Sequence, residues 1–236
     1  MSKGQDPALT DHDDPVEGTL DHSLYHAIRG WASMEEISRL REPSVRTPDE
    51  AVETLMRGNA RFYSGVTRGG EMNAMERRVQ VMFQTPFAIV LGCSDSRVPT
   101  ELIFDQGFGD LFSIRVAGNV AEPATLGSIE YAVRHLRCHL IVVLGHEGCG
   151  AVKTAMLPDE ERAREPEHVA YLAGHILPAV RDLPFIRDEK ARMREAVMSN
   201  IRHQAQALAR DTVVAQAVAA GTLRVIGAYY EIGSGA

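Results

Sequence analysis

The chain has 236 residues, of which 44% are hydrophobic and 24% are charged, as is typical of a folded globular protein with a substantial core. Its 25 Lys and Arg residues against 32 Asp and Glu residues give a formal net charge of -7, and no basic cluster is dense enough to follow a phosphate backbone. We therefore expect no nucleic-acid partner. The apolar runs are far shorter than the ~20 residues of a membrane-spanning helix, so we expect buried strands and no membrane association.

The beginning of the chain predicts a tail followed by a helical arm. Residues 1–22 are acidic and poor in large apolar side chains, which is typical of a flexible tail. Residues 23–62 have a helical rhythm that Pro43 and Pro48 interrupt, and they predict an N-terminal helical arm that docks on the main body or on a partner subunit. This part of the chain has no visible secretory or transit signal, so we expect a cytoplasmic protein.

The main body, residues 63–236, contains apolar runs that predict strands. Continuous apolar stretches at 87–92, 111–116 and 139–145 are typical of parallel strands buried on both faces. A last strand is predicted at 223–230.

Helical patterns alternate with these strands. Apolar residues at spacings of three and four predict a helix over 124–137, a second helix follows Cys149, and a long helical stretch over about 189–220 ends before Gly221. The alternation of strands and helices predicts an α/β fold with a mostly parallel central β-sheet flanked by helices.

Two of the predicted strands end in polar loops that contain cysteine. Cys93 follows the first strand, and His146 and Cys149 follow the third. Functional sites in open parallel sheets form outside the carboxyl ends of strands, so both loops are expected at the same rim. Two thiolates and an imidazole suit zinc, and three protein ligands leave the fourth position open, as in catalytic zinc sites. The helix that begins at Cys149 is expected to lower the pKa of its thiol.

Asp95 and Arg97 follow the first of these cysteines. In an extended segment, residues 93, 95 and 97 project to the same side, which places a carboxylate and a guanidinium beside the metal. Asp95 would then orient a metal-bound water while Arg97 keeps the carboxylate away from the ion; if Arg97 released it, Asp95 would become a fourth ligand. The alternative is a surface ion pair that contributes about 0 to 1 kcal/mol. Asp105 and Arg115 are candidate supports for this pair or for the sheet.

Three segments, CSDSRVPTELIFDQGFGDLFSIRVAGN, GSIEYAVRHL and LIVVLGHEGCGAV, together resemble the β-class carbonic anhydrases. The likeness runs from about residue 55 to 155 and continues more weakly to residue 230. It implies one Zn²⁺ per chain on the Cys-His-Cys set, an Asp95–Arg97 catalytic pair, and reversible hydration of carbon dioxide to bicarbonate and a proton. The zinc-binding catalytic domain would span residues 63–236.

The resemblance also implies a substrate pocket. Gln84 matches a glutamine that hydrogen-bonds bicarbonate, Phe112 and Tyr131 match aromatic residues around carbon dioxide, and Gly150 matches a glycine whose backbone N–H holds substrate. In this family the first three reach the site across a dimer interface, which implies a homodimer or a higher even oligomer. Val90 occupies the position of a regulatory tryptophan of some members, so the chain resembles the plant-like, open-site subgroup.

Two other functions fit the same residues. The fold and metal would also serve a hydrolase of carbon disulfide or carbonyl sulfide, because linear triatomic substrates differ mainly in tunnel access. A non-catalytic zinc scaffold is the other alternative, although it gives no reason for Asp95, Arg97 and Gln84 to be present.

Overall fold

The computed structural model describes residues 45–68, 80–81 and 84–236. The predicted tail at 1–22 and the first part of the predicted arm, 23–44, lie outside the described residues. None of the helices in the described part of the chain is long and apolar enough to cross a membrane.

A parallel four-stranded sheet forms the centre of the described body. The strand order is β2-β1-β3-β4, and every neighbouring pair is parallel. The predicted α/β fold with a parallel central sheet is thereby confirmed, with strand limits within one residue of the apolar runs. The strands are β1 (Ala88–Gly92), β2 (Leu111–Arg115), β3 (Leu140–His146) and β4 (Arg224–Tyr230).

Helices connect and flank the strands. The predicted helix before β3 and the predicted helix after Cys149 are both present, as α3 and α4. A short 3-10 turn, Ala117–Asn119, follows β2. The helices are α1 (Pro48–Tyr63), α2 (Thr100–Ile103), α3 (Pro123–His135), α4 (Gly150–Ala155), α5 (Asp159–Arg162), α6 (Glu167–Val180), α7 (Glu189–Ala209) and α8 (Thr212–Ala219).

The prediction of one helical stretch over 189–220 is wrong, because α7 and α8 are separate helices. The side chain of Asp211 accepts hydrogen bonds from the backbone N–H groups of Val213 and Val214, at 2.9 and 3.0 Å. Asp211 is therefore the N-cap of a new helix, a position that aspartate favours, whereas the apolar periodicity alone continues across it. Gly221, with φ of 72°, follows the end of α8 as predicted.

Apolar side chains cover both faces of the sheet, and β1 and β3 are buried along their whole length. On one face, Ile89 and Val143 belong to a cluster that α3, α4, α6 and α7 complete. On the other face, Val90 packs in a second cluster with Ala51 and Leu55 of α1. The helix in the described part of the predicted arm therefore docks on the main body.

A close approach between α7 and the sheet depends on two glycines. A Cβ atom on Gly145 of β3 would lie 2.6 Å from Cδ1 of Ile201, and one on Gly227 of β4 would lie 2.5 Å from its Cγ2. Real Cβ atoms do not approach other carbons so closely, so the glycines create the groove that receives Ile201. This contact sets how near α7 comes to the carboxyl ends of β3 and β4.

We expect Gly145→Ala to lower the free energy of unfolding by about 1 to 3 kcal/mol, because the new methyl group overpacks a closed contact. Urea unfolding of the purified protein measures this. The penalty should be smaller in an Ile201→Ala background, since the clashing side chain is then absent. Gly127→Ala, where the added Cβ meets nothing within 4 Å, is the control and should cost nothing. An equal Gly145→Ala penalty in both backgrounds would contradict the packing argument.

Candidate metal centre

The structure brings the three predicted metal ligands together at one rim of the sheet. Cys93 directly follows β1, His146 is the last residue of β3, and Cys149 is the N-cap of α4. One ligand atom from each lies within 4.8 Å of the others, and the two sulfurs are 4.0 Å apart. The three residues are only 6%, 0% and 1% exposed. This group could therefore hold a metal ion out of bulk water.

His146 presents a nitrogen that has no hydrogen-bond partner among the described residues. Its Nδ1 lies 2.9 Å from the carbonyl oxygen of Glu147, and because a carbonyl only accepts, Nδ1 carries the proton. Nε2 is then the free lone pair, and it is buried without a partner. Buried polar atoms are nearly always satisfied, and a metal ion beside two sulfurs would satisfy this one. The residues present therefore fit zinc, which favours nitrogen and sulfur ligands.

The two metal-site thiols differ in their affinity for protons. The hydrogen bond from the Cys149 thiol lowers the pKa of Cys93 to about 4, assisted by His146 and by the Gly118 N–H, which lies 3.4 Å from the sulfur. The Cys93 sulfur and burial together raise the pKa of Cys149, and they outweigh the opposing N–H groups of α4. The lowering effect predicted for the start of α4 is therefore present, but the net shift of the Cys149 pKa is upward. A bound cation would replace the proton of the Cys149 thiol and favour the thiolate form of both cysteines.

Asp95 and Arg97 form the predicted ion pair at the edge of this group. Arg97 donates from Nε to Oδ1 at 3.0 Å and from Nη2 to Oδ2 at 2.8 Å, and its backbone N–H donates to Oδ1 at 2.9 Å. These bonds hold the pKa of Asp95 well below its usual range, so the carboxylate is ionised. Its Oδ2 lies 3.9 Å from Nε2 of His146. The carboxylate thus borders the ligand group while Arg97 engages both of its oxygens.

Arg115, one of the two candidate supports, fixes the backbone of the same loop. It donates from Nε to the carbonyl of Cys93 at 3.2 Å and from Nη2 to the carbonyl of Asp95 at 2.6 Å. Asp105, the other candidate, has a different role, because its carboxylate accepts a hydrogen bond from Nε of Arg61 of α1 and its backbone carbonyl accepts one from Nη2. Arg115 therefore supports the loop that carries Cys93 and Asp95, and Asp105 connects α1 to the main body.

The four candidate substrate residues lie on different elements, and they differ in their distance from the ligand group. Gly150 follows Cys149 and begins α4. Phe112 lies three positions before the carboxyl end of β2, which is about 10 Å at ~3.3 Å per residue. Its ring centroid is 6.4 Å from that of Tyr131 on α3, and Gln84 is exposed just before β1. Only Gly150 adjoins the ligand group along the chain.

Comparisons with known proteins agree with this site. Residues 88–236 match the carbonic anhydrase family. The chain is 38% identical over 192 residues to a carbonic anhydrase of Mycolicibacterium smegmatis, covering 80% of this chain and 91% of that protein. It is 37% identical over 189 residues to carbonic anhydrase 2 of Mycobacterium tuberculosis, covering 80% and 90%. It also resembles a tetrameric β-carbonic anhydrase from the filamentous ascomycete Sordaria macrospora, with a TM-score of 0.64, 27% identity, and coverage of 80% of this chain and 95% of that one.

The ion pair of Asp95 predicts a pH-dependent contribution to stability. The pKa of Asp95 is lower in the folded state than in the unfolded state, where it is about 4. The stabilisation by this ion pair is therefore fully present above the unfolded-state pKa, and it is lost as the pH falls through the folded-state pKa. The difference in urea midpoint between the wild type and Asp95→Asn should therefore be largest near pH 7 and shrink as the pH falls below about 4. A difference that stays constant from pH 7 to pH 3 would contradict this prediction.

Proposed function

Since the chain belongs to the β-class carbonic anhydrases, we propose that Cys93, His146 and Cys149 bind one zinc ion per chain for the reversible hydration of carbon dioxide. The observation that carries the zinc assignment is the buried Nε2 of His146, which lies beside two sulfurs and has no hydrogen-bond partner in the described part of the chain. Three protein ligands leave a fourth position for a reacting water, which distinguishes a catalytic zinc from a structural one. Carbon dioxide and bicarbonate are the substrates.

The chemistry that zinc supplies here is the activation of water toward carbon dioxide at neutral pH. Two thiolates offset the formal charge of the ion, so this activation is weaker than with three neutral imidazoles. Asp95 compensates by accepting a hydrogen bond from the reacting water and orienting its lone pair toward the substrate. The ionised state of Asp95, imposed by Arg97, is the state that accepts such a bond.

We assign the chain to the open-site subgroup. The bidentate contact with Arg97 engages both oxygens of Asp95, which supports a set of only three protein ligands. Val90, at the position of the regulatory tryptophan of other members, is fully buried in the core beneath α1.

The proposed substrate pocket is shared between subunits. Gly150 would hold substrate in its own site, whereas Gln84, Phe112 and Tyr131 would serve the site of a partner subunit. Two observations support this assignment: Phe112 lies about 10 Å from the carboxyl end of its own strand, and Tyr131 remains 47% exposed. We therefore propose a homodimer or a higher even oligomer, as in the tetrameric structural relative.

We propose a cytoplasmic location, because a reducing compartment keeps Cys93 and Cys149 available as zinc ligands. We also propose that residues 63–236 form the catalytic domain, preceded by a tail at 1–22 and an arm at 23–62. The docking of α1 on the sheet adds the end of the arm to the same compact unit.

Replacing a ligand should remove zinc. We expect Cys93→Ala, His146→Ala and Cys149→Ala each to lose most of the zinc found in the wild type, measured by elemental analysis after dialysis against a mild chelator. Cys138→Ala is the matched control, because Cys138 is buried outside the ligand group, and its thiol donates to the Pro86 carbonyl at 3.2 Å. A zinc-replete, active Cys149→Ala variant would refute the ligand assignment.

Replacing Asp95 should remove activity without removing zinc. We expect Asp95→Asn to lower kcat for carbon dioxide hydration by about 10² to 10⁴-fold, the range for loss of a positioned acid or base. Stopped-flow measurements with a pH indicator from about pH 6.5 to 9 test this, with wild-type rates rising with pH. Asp159→Asn, which breaks a different aspartate pair with Arg162, is the control and should keep full activity.

Two outcomes would overturn these assignments. Full turnover of zinc-loaded Asp95→Asn would remove the proposed role of the carboxylate. An inactive, zinc-loaded wild type would point to carbon disulfide or carbonyl sulfide as substrate, or to a scaffold.

A further inference from the structure

Two amide side chains of α7 lie in the core and are not part of the candidate metal site. Asn200 and Gln204 are one helical turn apart and are 0% and 1% exposed. An amide taken from water into the core costs free energy unless its hydrogen bonds are replaced. The face of α7 that carries them is otherwise apolar and packs on the sheet. Their contacts therefore indicate what they do.

The hydrogen bonds of these amides form a directed chain. The backbone N–H of Ala121 donates to Oε1 of Gln204 at 2.9 Å, and since an N–H only donates, this fixes the orientation of the glutamine. Its Nε2 then donates to the carbonyl of His175 at 3.2 Å and to Oδ1 of Asn200 at 2.9 Å. Because Oδ1 of Asn200 accepts this bond, Nδ2 of Asn200 faces the turn and donates to the carbonyl of Gly118 at 2.9 Å.

Gly118 connects this chain to the metal centre. Its N–H lies 3.4 Å from the sulfur of Cys93, while its carbonyl accepts from Asn200. The residue has φ of 77°, and a Cβ atom there would lie 2.4 Å from Cδ1 of Ile176, so only glycine fits this turn. The peptide groups on the two sides of Gly118 are thus clamped between a buried asparagine and a metal ligand.

We propose that Asn200 is a positioning residue for the metal centre, which with Gln204 holds Gly118 so that its N–H donates to the Cys93 sulfur. This inference rests on the proposed zinc site. A hydrogen bond to a ligating sulfur stabilises its negative charge and withdraws electron density from the bond to the metal. Because two thiolates make the ion a weak Lewis acid, such a bond favours the activation of water.

The test is metal binding by the full chain. We expect Asn200→Ala to weaken zinc binding by about 10 to 100-fold, the usual effect of losing a group that supports a ligand, measured by competition with a chromogenic chelator. In the cobalt-substituted protein, the sulfur-to-cobalt charge-transfer band should shift in position. Partial unfolding reduces the intensity of such a band without moving it, so the shift separates positioning from a loss of folded protein.

Ser199→Ala is the matched control on the same helix. Ser199 donates to the carbonyl of Ala179 on α6 at 2.7 Å, whereas Asn200 donates to the carbonyl of Gly118. This variant should keep the zinc affinity and the band position of the wild type.

A second variant covers the case in which Asn200→Ala does not fold, which circular dichroism detects. Gln204→Met keeps the approximate size of the side chain and buries no charge, but it loses the donors to Asn200 and to the His175 carbonyl and the acceptor for the Ala121 N–H. This variant should weaken zinc binding less than Asn200→Ala does, because Gln204 is one hydrogen bond further from Gly118 than Asn200 is. If Asn200→Ala does not fold, the inference is tested by the Gln204 variant alone. A Gln204 variant with the zinc affinity and the cobalt band position of the wild type would then refute the inference.

The wild type separates this inference from the proposed function. Cobalt bands that are absent from the wild type, or that keep their full intensity and position in Cys93→Ala, would refute the zinc site and the inference that rests on it. Cysteine-dependent bands in the wild type that stay unmoved in folded Asn200→Ala, with zinc affinity unchanged, would refute the role of Asn200 alone.

Discussion

The parallel pairing of β1 with β3 is the constraint on which the metal centre depends. The register places Gly92 beside Leu144, so Cys93 and His146 leave neighbouring strands at nearly the same level. Side chains alternate between the two faces of a strand, and a slip of one residue would turn His146 away from the sulfurs. Burial of both strands on both faces makes such a slip costly, because every apolar side chain would change sides. The core thus holds the ligands in place.

The loops beyond the strand ends need other supports, because their backbone groups do not take part in the hydrogen bonds between strands. Arg115 bonds two carbonyls of the loop that carries Asp95, and it reaches them from the end of the adjacent strand β2. The N–H of Gly118 contacts the sulfur of Cys93, whereas Arg115 contacts its carbonyl. Each support donates N–H groups, so the loop's carbonyl and sulfur acceptors are satisfied before any ligand binds.

Helix α7 joins the packing of the core to the chemistry of the rim. Ile201 lies in the groove made by Gly145 and Gly227, and Asn200, its neighbour in the chain, bonds Gly118. A displacement of α7 would therefore alter the turn that contacts Cys93. Interiors packed at crystal-like density transmit such shifts because they have little free volume to absorb them. Stability and metal binding are expected to be linked through this helix.

Local patterns in the sequence were sufficient to predict the α/β fold, the limits of four strands and the three residues that the structure brings together as a candidate metal site. These features depend on local patterns, since a buried parallel strand is a continuous apolar run and its carboxyl end is where a site forms. Cys93, His146 and Cys149 could be found because their chemical types are rare and their spacing is specific. The break at Asp211 was missed because apolar periodicity runs through it, although a capping aspartate was the available signal.

The supports of the site, in contrast, depend on contacts that exist only in the folded chain. Asn200 and Gly118 are separated by 82 residues, and in the sequence one is an ordinary polar residue of a helix and the other an ordinary loop glycine. Likewise, the opposite pKa shifts of the two thiols depend on a separation of 4.0 Å between sulfurs 56 residues apart. Hydrogen bonds and electrostatic interactions act over a few ångströms of space, and sequence patterns report only the neighbours that each residue has along the chain.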